Sequence, residues 1–337
     1  FSWTWDNIVN YNTTIAKDHS LGIMGLISAT AGNSETYYWV TNGAMAKTDW
    51  YNMGTGTYNA DASYSSYGEN SMLSYAARLN YGYKDKYLLT TTFRWDGSSK
   101  FADGNRWGCF PSVALAWRAS EEEFLKKIDW LSNLKVRASY GVTGNNKGTS
   151  NYATQQTVTG PIFYAFGGST FSGYYPSSIV NKALSWEKSH EINLGIDFGF
   201  LRNRISGTID WYKKNSKELL YTVQLPLVTG GGKMTTNVGE VQNSGIEISL
   251  KTVNIQTKDW NWTTSFNFSH NKNKIVEING TGEDLPADGL FLGQPINNVY
   301  GYDWAGIVTD RNMTVPDTEI AKAKGFTPGQ SVKEYDY

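Results

Sequence analysis

The sequence lacks the features that mark several common classes of protein. Its only cysteine is Cys109, so an internal disulfide is excluded. No apolar run approaches the roughly 18 residues that a transmembrane helix needs. The 30 basic and 31 acidic residues give a formal net charge of −1, without the basic excess of a nucleic-acid-binding protein. Helical membrane proteins are therefore excluded, and no nucleic-acid partner is expected.

Motifs that would carry chemistry are also missing. The three histidines, His19, His190 and His270, are far apart and lack metal-ligand spacing, which favours structural roles. A glycine run at 230–232 precedes Lys233 without the strand and helix context of a phosphate-binding loop. No Gly-x-Ser-x-Gly sequence occurs, so a nucleophile elbow is absent. We predict no catalytic residue, no metal site and no cofactor.

The dominant pattern is an alternation of apolar and polar residues with period two. Between His190 and Phe200, apolar side chains occupy every second position, and the same alternation resumes from Ile205 to Trp211. Successive side chains of a strand point to opposite faces, so each segment has one apolar and one polar face. Long strands with Arg, Asp and Asn at mid-strand are typical of an outer-membrane barrel, with lipid outside and water or a polar plug inside.

The alternation predicts about eleven strands. They lie near 3–12, 19–29, 71–83, 86–96, 109–118, 132–142, 189–200, 203–213, 244–253, 259–271 and 297–308. Connections between them alternate between short ones and long stretches at 30–70, 97–108, 143–188, 214–243 and 272–296. The 119–131 connection, which takes a short slot, is predicted to hold a brief helix. Short turns on one side and long loops on the other are typical of bacterial outer-membrane barrels.

The predicted fold class is all-β, a transmembrane antiparallel β-barrel. An odd, incomplete set of strands cannot close a single-chain bacterial barrel. We therefore expect residues 1–337 to be a partial barrel domain within a larger wall. Since the sequence opens inside a strand-like pattern, we expect it to be a fragment.

Several segments resemble SusC/RagA-type TonB-dependent transporters of Bacteroidota outer membranes. The most specific is residues 78–127, RLNYGYKDKYLLTTTFRWDGSSKFADGNRWGCFPSVALAWRASEEEFLKK. Further similar segments are 131–146, 184–220, 237–250 and 260–278, in the order of the family. The resemblance covers most of residues 70–308, whereas the 30–70 and 147–183 segments do not look typical of the family.

The resemblance implies a barrel of roughly 22 strands, with an N-terminal plug inside it and a periplasmic segment that contacts TonB. It implies active import of a large nutrient, often an oligosaccharide and sometimes a peptide. A SusD-like surface lipoprotein would cap the mouth, the TonB complex would act through the plug, and lipid would surround the barrel. This chain would supply the middle-to-late strands and perform no covalent chemistry.

Two groups of side chains are candidates for functional contacts. Aromatic residues crowd two predicted extracellular loops and would suit sugar rings or peptides, or would pack the loops together or meet a partner protein. These are Tyr37, Tyr38, Trp39, Trp50, Tyr51, Tyr164, Phe166, Tyr174 and Tyr175. Charged residues on the polar faces are predicted to face the lumen and to contact the plug or line a solute path: Arg78, Arg94, Arg137 and Asp210.

Two other classes of function stay open on the sequence alone. A passive porin-like channel would have an open lumen and no plug. A soluble all-β carbohydrate-binding or hydrolytic protein, such as a propeller, would show repeats of roughly 40–50 residues. No such repeat is found in the sequence.

Overall fold

A computed structural model of the chain describes residues 1–42, 57–176, 179–226, 228 and 233–301. Within these ranges there are twelve strands. They are β1 (Ser2–Ile15), β2 (His19–Asn42), β3 (Thr57–Tyr83), β4 (Tyr87–Ser98), β5 (Trp107–Arg118), β6 (Leu131–Asn145), β7 (Val158–Phe166), β8 (Ser169–Pro176), β9 (Glu187–Phe200), β10 (Ile205–Gln224), β11 (Lys233–Gln256) and β12 (Asn261–Glu277). None of the described residues belongs to a helix that is long and apolar enough to cross a membrane.

Ten of the strands form one antiparallel sheet in the order β1-β2-β3-β4-β5-β6-β9-β10-β11-β12. The remaining two, β7 and β8, form a separate hairpin in the connection between β6 and β9. Within the described ranges β1 and β12 stand at the two edges, so the sheet is an open portion of wall. Residues 1–298 make up one unit and residues 299–337 a second, of which only 299–301 are described.

The structure confirms ten of the predicted strands and corrects the lengths of the connections. In the regions 30–70 and 214–243 the described residues are mostly strand and not loop, because β2, β3, β10 and β11 extend far beyond their predicted ends. The predicted helix at 119–131 was wrong: a 3-10 turn at Ala119–Glu121 and further turns occupy this connection. Of the eleventh predicted strand, 297–301 is not a strand and the rest lies outside the described residues.

Short connections join the strands at one end of the sheet. They are 16–18, 84–86, 119–130, 201–204 and 257–260. Several turn residues have positive φ, among them Lys84 at 51° and Asp85 at 52°. Two successive residues of this kind form a mirror-image turn, closed by a hydrogen bond from the Lys86 amide to the Tyr83 carbonyl at 3.0 Å. The opposite end carries the strand extensions and the long connections.

Strand register divides the sheet into two chemically different faces. Directly paired residues share a face, so each row can be followed from strand to strand. One row of the apolar face runs Val136, Ile196, Ile209, Ile248 and Phe268. The neighbouring row of the polar face runs Arg137, Gly195, Asp210, Glu247 and Ser269. The apolar side chains are exposed in the chain by itself, as Ile196 at 42% and Phe268 at 47% illustrate; a hydrocarbon surrounding would cover them.

At the short-connection end, Glu122 ties the β5–β6 connection to the sheet. Its carboxylate accepts hydrogen bonds from the Tyr87 hydroxyl at 2.7 Å, Trp117 Nε1 at 3.2 Å and Lys86 Nζ at 3.1 Å. The hydrogen bonds from Tyr87, Trp117 and Lys86, in that order, lower the pKa of Glu122 below its ordinary value. Hydrogen-bond donors that favour an ionised carboxylate stabilise the folded state at the pH values at which the carboxylate is ionised.

Replacing Glu122 with Gln is expected to lower the stability of the protein at neutral pH. Because the folded-state pKa is lowered, the contribution of the carboxylate is present above its unfolded pKa and is lost as pH falls through the folded value. The stability difference between Glu122→Gln and wild type should therefore shrink on acidification. Denaturant unfolding at a series of pH values measures it, with Glu123→Gln as the matched control. A pH-independent difference would contradict this role for the Glu122 charge.

Candidate functional site

All four charged residues predicted to face the lumen lie on the polar face. Arg78 pairs with Thr92, and Arg94 lies in the adjoining row opposite Phe110. Arg137 and Asp210 both lie opposite Gly195, from its two sides. The structure therefore places these residues on one surface, and their exposure to a lumen stays a prediction.

Arg137 is the centre of an ion-pair network that spans three strands. From β6, its NH2 group lies 2.8 Å from Asp197 Oδ1 on β9 and 3.1 Å from Asp210 Oδ1 on β10. Lys135 joins the network at 3.5 Å from Asp197. Gly195 leaves the space for this reach, because a Cβ there would lie 2.7 Å from Arg137 NH2 and 2.6 Å from Asp210 Oδ1. These ion pairs hold the Arg137 guanidinium in one orientation at the middle of the sheet.

Arg94 and Arg78 have different surroundings. Arg94 Nε donates to both oxygens of Asp96 at 2.8 Å, and its NH2 group donates to Ser74 Oγ at 3.2 Å. Asp96 and Ser74 are buried, so this cluster is held rigidly. Arg78, by contrast, donates from Nε to Thr92 Oγ1 at 3.1 Å, and no ion pair joins it to any described residue.

A buried apolar cluster joins the long connections at the other end of the sheet. We call it the loop-base core; it comprises Phe101, Phe110, Val142, Leu184 and Trp186. Leu184 is fully buried and Trp186 is 4% exposed. The Trp186 ring lies 5.4 Å from that of Phe101 and 5.3 Å from that of Phe110, and its Nε1 donates to the Arg106 carbonyl at 2.9 Å. Sequence analysis missed this core.

Hydrogen bonds reinforce the same connections. Lys100 Nζ donates to the carbonyl oxygens of Asn146 at 3.3 Å and Thr149 at 3.2 Å. The Asn237 side chain accepts from the Ser185 amide at 2.9 Å and donates to the Ser185 carbonyl at 2.9 Å. The 98–107 and 145–187 segments are thus attached to each other and to β11. Hydrogen bonds around an apolar core hold loops in a defined conformation.

Three residues of the first aromatic group lie on a strand and not in a loop. Tyr37, Tyr38 and Trp39 belong to the extension of β2, beyond its apolar rows. The Tyr38 ring stacks on Tyr64 at 5.1 Å, and Trp39 lies 6.0 Å from Tyr58. All three remain at least half exposed. The other two residues of this group, Trp50 and Tyr51, lie outside the described residues.

The second aromatic group belongs to the β7–β8 hairpin, which the sequence analysis had assigned to a loop. Tyr164 and Phe166 lie on β7, and Tyr174 and Tyr175 on β8. Gly167 and Gly168 form the turn, with φ of 58° and 81°, values that glycine adopts readily. Tyr164 stacks on the paired Phe171 at 5.9 Å. Because Phe166 is 74% and Tyr174 66% exposed, the hairpin presents aromatic surface for contact.

The part of the chain that the structure describes holds no group of three or more His, Cys, Asp or Glu residues able to hold a metal ion. Two histidines pair with tyrosines instead. His19 Nδ1 lies 2.7 Å from the Tyr81 hydroxyl, and His190 Nδ1 lies 2.9 Å from that of Tyr140.

Sequence comparison places the chain among receptors of outer membranes. TonB-dependent receptor P39 of Formosa agariphila is 32% identical over 341 residues, which cover 98% of this chain and 32% of that protein. TonB-dependent receptor SusC of Bacteroides thetaiotaomicron is 42% identical over 219 residues, 64% of this chain and 22% of that protein. The chain thus spans at most about a third of these curated relatives.

Solved structures give the same result. The RagAB peptide importer in its open-open state superposes with a TM-score of 0.76 at 28% identity, covering 87% of this chain and 32% of that one. These relatives are receptors and transporters. Their family is one of outer-membrane β-barrels, which contradicts the alternative of a soluble all-β protein. Residues 2–317 match the model of the family "TonB dependent receptor-like, beta-barrel". The chain belongs to this family of outer-membrane β-barrels.

Proposed function

We propose that this chain forms part of the barrel wall of an importer that takes up oligosaccharides or peptides across the outer membrane. TonB would supply the energy through a plug domain, and a SusD-like lipoprotein would capture substrate at the mouth. The observation that carries the proposal is the two-faced sheet of a family whose relatives include SusC and RagAB, the latter described as a peptide importer. The polar face, with Arg94 and Arg137 held in hydrogen-bonded clusters, would line the solute path.

The loop-base core supports an occluded mouth over a simple open pore. It attaches 98–107 to 145–187 through buried Phe101 and Trp186, so two long connections act as one body. A porin-like channel needs no such attachment for diffusion. A loop body of fixed shape is suited to selecting a large nutrient and to receiving a lipoprotein cap.

Uptake by the bacterium tests the proposal. The gene of the full-length receptor is deleted, and uptake of fluorescein-labelled malto-oligosaccharides and of a labelled peptide mixture is compared in deletion and complemented strains. We expect one of the two probes to lose uptake on deletion. Deletion of tonB, or addition of a protonophore, should abolish the same uptake. Uptake that survives loss of TonB would identify a passive channel and overturn the proposal.

The exposed hairpin aromatics are our proposed substrate contacts. Replacing Phe166 and Tyr174 together with Ala removes two exposed rings that no described core covers. At about 1 kcal/mol for each aromatic contact, the concentration for half-maximal uptake should rise roughly tenfold or more. Phe124→Ala, 65% exposed at the short-connection end, is the matched control. Unchanged uptake by the double variant would assign the hairpin to packing or to a partner protein.

A further inference from the structure

The apolar face of the sheet changes character abruptly toward the long-connection end. Its last mostly apolar row across β6, β9, β10, β11 and β12 consists of Ala138, Leu194, Trp211, Ile246 and His270. The next row on the same face consists of Tyr140, Ile192, Lys213, Ser244 and Lys272. Two residues along a strand span roughly 7 Å. Within that distance the surface passes from hydrocarbon-like to cationic.

A second cationic row follows immediately. His190 pairs with Asn215, Asn215 with Gln242, and Gln242 with Lys274. Beyond it, Lys217 lies opposite Lys188. We call these two rows, together with Lys217, the basic band.

Three lysines of the basic band keep their charge uncompensated. Across the described ranges, no ion pair involves Lys213, Lys272 or Lys274. Lys217 lies 3.7 Å from Glu240, and neighbouring Lys188 lies 3.0 Å from Glu218, so those two are neutralised. The band therefore carries a net positive charge beside a surface made for hydrocarbon.

A groove of about 290 Å³ lies within the band. Its walls are Tyr140, His190, Ile192, Lys213, Asn215 and Lys217. The hydrogen bond between the Tyr140 hydroxyl and His190 Nδ1, at 2.9 Å, fixes one wall. Lys213 supplies an uncompensated cation on the other wall, where Lys217 is paired with Glu240, and Ile192 continues the apolar rows into the groove. Such a groove offers both a charge and a hydrocarbon contact to one molecule.

We propose that the basic band is a binding site for the phosphate headgroup of an outer-leaflet lipid. Long connections mark the extracellular end of bacterial barrels, so the band lies at the outer boundary of the bilayer. Lysine stems lie along apolar surface while their ammonium groups reach a headgroup. The acyl chains of the same lipid would cover Leu194 and Trp211 below the groove. A free phosphate ion would use the charges and leave this apolar contact unused.

Native mass spectrometry of the full-length receptor in non-ionic detergent tests the site. Dioleoyl phosphatidic acid is titrated against wild type and against the Lys213→Gln/Lys272→Gln/Lys274→Gln variant. Each lysine near an anionic lipid surface contributes roughly a fivefold increase in affinity, so the dissociation constant should rise at least about tenfold. The matched control, Lys17→Gln/Lys84→Gln/Lys258→Gln, removes the same charge at the short-connection end and should change it less than twofold.

Four results would overturn the proposal. The first is that the band variant binds phosphatidic acid as tightly as wild type does and has the same thermal unfolding midpoint. The second is equally tight binding of dioleoyl phosphatidylcholine, which would reduce the contact to acyl chains. The third is a band variant that alters only the dimer population, which would assign the face to a second copy of the protein. Saturation by inorganic phosphate alone at the same affinity would likewise exclude a lipid site. Nutrient uptake is not a readout here, so the uptake proposal can fail independently.

Discussion

Trp186→Ala is expected to release the long connections at the mouth of the barrel. The side chain is 4% exposed and packs on Phe101 and Phe110. Truncating a buried tryptophan costs about 3–5 kcal/mol, because packing is lost and a cavity is left. The Arg106 carbonyl also loses its donor, the Trp186 indole. We expect the 145–187 segment to become the first site of cleavage when the full-length receptor in detergent is treated with protease.

The control for this variant is Trp107→Ala. Trp107 is 52% exposed on the apolar face, where it stacks on Tyr75 at 5.9 Å. The same truncation there leaves the loop-base core intact, so cleavage within 145–187 should stay slow. Equal protection of that segment in Trp186→Ala and wild type would show that hydrogen bonds such as that of Asn237 suffice to hold it.

Alternation predicts strands well only where the two faces meet different surroundings. Between His190 and Phe200 one face is apolar and the other polar, so the period of two is visible in the sequence. In residues 33–42 of β2 both faces carry polar and aromatic residues, and the period disappears although the strand continues. The extended part pairs with β3 through its backbone, for instance Glu35 with Tyr67. Backbone pairing leaves no hydrophobic signal, which is why these extensions were predicted as loops.

The β7–β8 hairpin has a local signal in the sequence. Gly167-Gly168 between residues with high strand propensity is a recognised signature of a two-residue turn. The loop-base core had none. Phe101, Phe110 and Trp186 are distant in sequence and belong to different elements, so no periodicity within one segment indicates their contact.

The polar face shows the same division between local and long-range information. Alternation on β6 is enough to predict the face on which Arg137 lies. Its partners depend on how β6, β9 and β10 align, and a shift by one residue would move Asp197 and Asp210 to the other face. The role of Gly195 as the gap through which Arg137 reaches Asp210 becomes visible only with that alignment.

Arg137→Leu is expected to destabilise the full-length receptor by about 1–3 kcal/mol, a value below the range for fully buried pairs because the side chain is partly solvated. Asp197 and Asp210 would face each other without the cation that now lies 2.8 Å and 3.1 Å from them. Denaturant unfolding in detergent measures the loss. Adding Asp210→Asn should restore part of it, because one of the two repelling charges is removed.

Arg78→Leu is the control variant, because it places leucine on the polar face without disturbing the ion pairs of Arg137. Arg78 lies on that face and donates one hydrogen bond, to Thr92, so its replacement should cost less than about 1 kcal/mol. If Arg78→Leu and Arg137→Leu cost the same, the three-strand network contributes nothing beyond the general cost of placing leucine on the polar face. If Arg137→Leu costs more and Asp210→Asn compensates, the ion pairs of Arg137 hold three strands of the polar face in a fixed arrangement of charges.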